Sequence, residues 1–407
     1  MVWREGFTIL SSSSGDLAAE HYFIDRTCQA NNYWPGWPIN PNNNGAALGN
    51  FAPNIALYAI FFSSCKLSLI TRANSLQTFL ATGITMTLSL GYIACRAADL
   101  SKFTSLFSAI SVTTAPCAIS RLGHLSLSQL WPVLPTISCC LIIINGHKIA
   151  RHPKQWIGAL KGYGLGCLLG TLAFPGQDYY IIFGSALVAS CATWKCSCPK
   201  KSSDGDPLEE TGRNWATLIS LAISTGFISI NLLVLTSKIL LWTIPSWASE
   251  ATRRLPSEQF SYGFWPLALG QSPIYNSFLS QRLEESGIIL NESPFASSGS
   301  LLIIIAAIIA ISRLRRQALP KSASRPKKSG DLLSAASVVF LISLAIALLC
   351  TSAGSFGTLF AVFISPQLRA LNRFLPYLYA PAVVVVALWL ENTILHIKQE
   401  FKIEVNS

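Results

Sequence analysis

LLIIIAAIIAISRLRRQALPKSASRPKK, residues 301–328, holds an apolar run with no charge followed at once by a cluster of basic residues. Such a run loses nothing in hydrocarbon, whereas the arginines and lysines behind it must stay in water, so the pair reads as a membrane segment and its anchoring loop. The pattern recurs along the whole chain. The protein has 407 residues, 51% hydrophobic and only 12% charged, against roughly 25% charged in soluble domains. Mean hydropathy is +0.44. These values exclude an ordinary soluble enzyme and predict an all-α polytopic membrane protein. The net charge of +11 lies in short loops between apolar segments, which encodes topology rather than nucleic-acid binding.

Segments 76–95, 103–119, 131–146, 158–174, 178–195, 215–243, 299–312, 332–352 and 375–391 are the candidate crossings. Loops 146–157, 195–214 and 313–331 carry three, four and seven Lys or Arg, and the positive-inside rule places them in the cytoplasm. With 96–102 and the C-terminal tail, the inner side then holds 18 basic residues, and the short outer loops hold almost none. Counting back from 146–157, residues 1–52 are also outside only if 53–72 does not cross. That segment, with Ser63, Ser64, Lys66 and Ser68 on its wetter side, is therefore predicted as an interfacial helix. The resulting organisation is a first extracytoplasmic loop (1–52), the interfacial helix (53–72), a bundle of about nine helices (73–391) with a large outer loop (244–298), and a cytoplasmic tail (392–407). The same count predicts one more membrane helix upstream of Met1. The eleven cysteines mostly sit in apolar runs as small hydrophobes, and Cys196 with Cys198 lacks second-site partners at zinc spacing.

This topology gathers the remaining polar residues on the outer side. SSGDLAAEHYFIDR (13–26) brings Asp16, Glu20, His21 and Asp25. Asp16 follows SSSSG, where aspartate is a good helix N-cap, and Glu20 lies four residues on, on the same face. Two acids on one face equally suit general-base or metal duty. Arg121 and His124 (SRLGHLSLSQ), Asp178 with Tyr179 (GQDYYIIFG), Glu258 and Glu292 follow, then Arg369 and Arg373 (SPQLRALNRF). Arginines at i, i+4 suit a phosphate, although snorkelling at a helix end is the ordinary alternative. His124 is as readily a loop anchor, Asp178 a helix cap, and Tyr179 with Tyr180 an aromatic belt. Trp34, Trp37 and Trp265 fit sugar stacking or the interface, and Asn291-Glu292-Ser293 matches a glycosylation sequon.

The ordered series of SGD, WPINPNNNGAALGNFAP, PCAISRLGHLSLSQLWPVLP, GQDYYIIFG, RLPSEQFSYGFWPLALGQSP with LNES, and SFGTLFAVFISPQLRALNRF resembles bacterial GT-C-type membrane glycosyltransferases and their sugar translocase-like relatives. The resemblance spans nearly the whole chain. It implies a GT-C-like helical bundle with an outer-face first loop and an interfacial helix, in the bacterial inner membrane. It also implies transfer of a sugar from a polyprenyl-phosphate carrier, with inversion, to an extracytoplasmic acceptor. The family's first-loop acid falls on Asp16, as catalytic base or as ligand of a divalent cation, with Glu20 supporting it. Arg121, His124, Asp178, Tyr179, Glu258, Glu292, Arg369 and Arg373 are the expected substrate-binding set. The family's first membrane helix, expected before the SGD loop, is not in the sequence. A flippase for lipid-linked sugars is the alternative; transporters usually carry internal repeats and mid-span polar sites, and neither is evident here.

Overall fold

The computed structural model describes residues 75–119, 130–146, 155–173, 178–197, 207–241, 297–318, 327–351, 355–357, 359 and 371–405, and among them there is no strand. Nine helices carry the described architecture: α1 (Ser75–Ala97), α2 (Lys102–Thr113), α3 (Val133–Asn145), α4 (Gln155–Ala173), α5 (Asp178–Ser197), α6 (Pro207–Leu241), α7 (Ser297–Ala318), α8 (Lys327–Ile346) and α9 (Pro376–Val405). Each predicted crossing thus coincides with a helix. The differences in length have local causes. Predicted segment 103–119 breaks after Thr113, and only a single turn, Pro116–Ile119, follows. Pro116 disfavours a helical Ala115 and has no N–H to continue the ladder.

The centre of the bundle is α3. Its sequence, VLPTISCCLIIIN, has no polar face, and Val133 to Ile143 are buried on every side. A helix that is apolar all round belongs inside rather than at a surface. It packs against α1, α4, α5, α6, α8 and α9. Thirteen residues rise only ~20 Å, less than the ~30 Å of a bilayer core. Gly146, at a positive φ of 76°, closes α3, and its N–H donates to Ile142 O at 2.9 Å.

The tightest helix pair is α4 with α6. Gly162, Gly166 and Gly170 meet Ile219, Ile223 and Phe227 in step, so the two helices run parallel. A Cβ at Gly166 would overlap the carbonyl oxygen of Ile223, and one at Gly226 would overlap that of Tyr163. Glycines four apart let two backbones approach where lipid offers no hydrophobic drive for helix association.

Among the described residues, three helices contain stretches long and apolar enough to cross a membrane: Trp215–Leu233, Leu332–Thr351 and Pro376–Ile397, with mean hydropathies of 1.8, 2.7 and 1.7. The outside of the bundle is apolar as well. On α7, Ile303, Ala306 and Ala310 face inward, yet Leu301, Ile304, Ile308 and Ile311 are each more than half exposed. Water would penalise so large an apolar exterior, and lipid would not. The fold fits an integral membrane protein of all-α class.

Contacts sort the helix ends onto two sides. On one, Lys195 Nζ donates to Ile144 O at 2.8 Å, Arg313 Nε donates to Ser334 Oγ at 3.2 Å, and α1 ends in Arg96. We call this the basic end. The opposite end carries the start of α5 and α9 and is aromatic.

Candidate functional site

The aromatic end is built on residues 371–377. LNRF (371–374) forms one turn of 3₁₀ helix. Leu375 precedes a proline and resists the α conformation, and Pro376 then opens α9, where its missing N–H has no helical partner to lose. The turn is pinned by its neighbours. Tyr377 Oη donates to Tyr180 O at 2.7 Å. The Phe183 and Phe374 rings meet edge to face at 5.6 Å and 89°, and Tyr180 meets Tyr377 at 6.2 Å and 72°. Such pairs add ~0.5–1.5 kcal/mol each beyond the area they bury. Tyr180, Phe374 and Tyr377 are fully buried. Gly184 makes room, because a Cβ there would lie 2.9 Å from Tyr377 Oη and 3.1 Å from Thr136 Oγ1. The result is a packed platform in which the turn carrying half-buried Arg373 lies against α5.

A second irregular element touches this platform. α8 ends in a π turn, Ala347–Thr351, which packs against the 371–374 turn. Thr351 is buried and its Oγ1 donates to Ala347 O at 2.7 Å. Isolated π turns in helices occur frequently at functional sites. Trp131, at the entrance to α3, is fully buried, and its Nε1 has no hydrogen-bond partner among the described residues. A donor of this kind calls for a partner.

Of the ten residues expected at the site, three fall within described elements. Asp178 and Tyr179 open α5, and Arg373 lies on the turn packed against that helix. These stretches are nearly 200 positions apart in sequence, and the fold places them side by side. Asp16, Glu20, Arg121, His124, Glu258, Glu292 and Arg369 lie outside the described residues, as does the expected interfacial helix 53–72. The described residues contain no group of three or more His, Cys, Asp or Glu suited to a metal ion.

Sequence reading missed one polar cluster, at the basic end. Ser101 Oγ and Thr104 Oγ1 donate to Glu391 Oε2 at 2.7 and 2.5 Å. Ser101 also caps α2, accepting from Thr104 N at 3.1 Å. Arg96 donates to Leu100 O, and Asp99 takes a positive φ of 61°. The signals available were the SKFT capping pattern and a lone acid ending an apolar run. Neither named the other as partner. The arrangement staples the α1–α2 turn to α9.

Comparison with protein-family models, with curated proteins and with solved structures finds no match to this chain.

Proposed function

We propose that the protein is a GT-C-like membrane glycosyltransferase that moves a sugar from a polyprenyl-phosphate carrier to an acceptor on the extracytoplasmic face. The observation that supports this reading best is the placing of Arg373 on a rigid turn against the start of α5, which opens with Asp178 and Tyr179. Two stretches that carry motifs expected at one outer site thus belong to elements that pack together. Arg96, Lys195, Arg313, Arg315 and Arg316 lie in last turns or ends of helices at the other end, with Lys238 of α6 and Arg373 as exceptions, in keeping with the positive-inside rule if the aromatic end faces outward.

In this mechanism Asp16 removes the proton from the acceptor hydroxyl, or helps hold a divalent cation, and Glu20 supports it. The hydroxyl oxygen attacks the anomeric carbon from the side opposite the phosphate. The bond to the phosphate oxygen breaks, and the configuration inverts. Arg373 and Arg369, with Arg121, stabilise the negative charge that grows on the departing lipid phosphate. A guanidinium on a fixed turn suits this task because it needs no reorganisation as charge develops.

The test is sugar transfer by the purified full chain in vesicles, given a panel of polyprenyl-phosphate sugars. Arg373→Gln lowers turnover ~10²–10³-fold with membrane abundance unchanged. Arg373→Lys recovers only part of the loss, because an ammonium cannot make the bidentate contact. Wild-type turnover in Arg373→Gln removes the arginine from the mechanism. Saturable export of lipid-linked sugar without any transfer favours the flippase instead.

A further inference from the structure

An apolar groove of about 570 Å³ runs along the outside of the bundle between α5 and α8. Leu341, Ala345 and Leu349 line it from α8, and Trp194 from α5, with Leu314 of α7 at one end. Two of its hydroxyls are engaged within their own helix. Ser190 Oγ donates to Ala186 O at 2.8 Å, and Thr193 Oγ1 to Ala189 O at 3.0 Å, both within α5. Apart from Ser197 at the Trp194 end, the groove lining is almost entirely apolar and suits a hydrocarbon chain.

Its ends differ. Trp194 and Leu314 mark the basic end, where Lys195 follows Trp194 directly and Arg313, Arg315 and Arg316 flank Leu314. Lys195 and Arg313 are tied to Ile144 O and Ser334 Oγ. Arg315 and Arg316 are exposed. Along α8 the groove runs from Val338 to Cys350, a rise of ~18 Å. That is close to the ~15 Å depth of one leaflet of a ~30 Å hydrocarbon core. A tryptophan at the junction of groove and basic rim is the side chain favoured at the headgroup level.

We propose that this groove is a binding site for an anionic phospholipid of the leaflet at the basic end. An acyl chain lies between α5 and α8, and the phosphate meets Arg315 and Arg316. The charge complementarity of the rim selects a lipid over an apolar helix from another protein, which would gain nothing from two exposed guanidiniums. The headgroup rim at Arg315 and Arg316 is at the basic end, the groove's other end reaches the π turn of α8, and the proposal does not depend on the transferase reading.

The test is native mass spectrometry of the full chain released from mixed micelles of phosphatidylglycerol and phosphatidylcholine with identical acyl chains. Three variants accompany the wild type. Arg315→Gln/Arg316→Gln removes the rim, and Ala345→Trp fills the groove at an exposed position. Lys398→Gln/Lys402→Gln makes the same charge change near the end of α9. The wild type should retain phosphatidylglycerol in preference. The rim variant should lose that preference by about 30-fold, equivalent to ~2 kcal/mol for two basic residues near a membrane surface. The α9 variant should keep it, and Ala345→Trp should retain neither lipid at this site. Equal losses in the rim and α9 variants would reduce the effect to general surface charge and overturn the proposal. So would equal retention of the two lipids by wild type, or unchanged lipid retention in Ala345→Trp. A dimer that Ala345→Trp dissolves would give the groove to a second copy of the chain.

Discussion

Gly166 and Gly164 lie on the same helix two residues apart, and the same substitution should act on them with opposite sign. Alanine favours a helix over glycine by ~1 kcal/mol, so each change starts with a gain of that size. At Gly164 nothing lies within 4 Å of the added Cβ, and the gain stands. At Gly166 the Cβ overlaps Ile223 O and lies 2.9 Å from Ile223 C and 3.1 Å from its Cα. Those are backbone atoms and cannot rotate aside, so α4 and α6 must move apart. A gap of 0.5–1 Å forfeits a quarter to a half of each dispersion contact along the seam. Overpacking usually costs ~1–3 kcal/mol, and a backbone obstacle puts Gly166 at the upper end, for a net loss of ~2 kcal/mol. The two variants should differ by ~3 kcal/mol, on the order of 3–4 °C in Tm for a chain of this length. The assay is the fraction of detergent-solubilised protein that survives heating, read by size exclusion. A Gly166→Ala protein as stable as Gly164→Ala would refute the close backbone contact and the parallel α4–α6 seam.

Other consequences follow from single contacts. Tyr377→Phe deletes the bond to Tyr180 O and should cost ~1 kcal/mol, seen as a lower melting temperature; an unchanged value would mean the platform does not need that bond. Glu391→Ala removes the shared acceptor of Ser101 and Thr104, and a hydrogen bond to a charged group is worth ~1.5–3 kcal/mol. Ser101→Ala should be non-additive with it in a double-mutant cycle, and simple additivity would separate the two side chains. For orientation, single cysteines at Ser203 and Ser324 in a cysteine-depleted background should resist an impermeant thiol reagent in intact cells, while Ser13 and Ser257 should label. Labelling at Ser324 would reverse the assignment of faces.

The helical class was legible because apolar runs such as 332–352 leave few alternatives in a membrane. Lengths were less legible. The spans assumed a bilayer to cross, whereas α3 is shorter because it is enclosed by other helices, and Pro116 divides one expected crossing. The Gly162, Gly166 and Gly170 spacing is visible in the sequence, but it says only that something comes close. The partner, Ile223, is set by packing. The same holds for Glu391, whose hydroxyl partners come from the far end of the chain. Arg373 was singled out by its sign, since a cation on the expected outer side runs against the topology rule. Its neighbour α5 could not be read that way, because the buried aromatic contacts that join them are long-range.

The central claim stands or falls on Asp16. The measurement is sugar transfer by the full chain, in vesicles containing polyprenyl-phosphate sugar, for Asp16→Asn, Asp16→Ala and Asp25→Asn at matched abundance. Asparagine caps a helix about as well as aspartate, so a capping role leaves Asp16→Asn active. A base or metal-site acid leaves both Asp16 variants down by ~10²–10⁴-fold, with Asp25→Asn near wild type, and this is the predicted result. Full transfer by Asp16→Asn would contradict it.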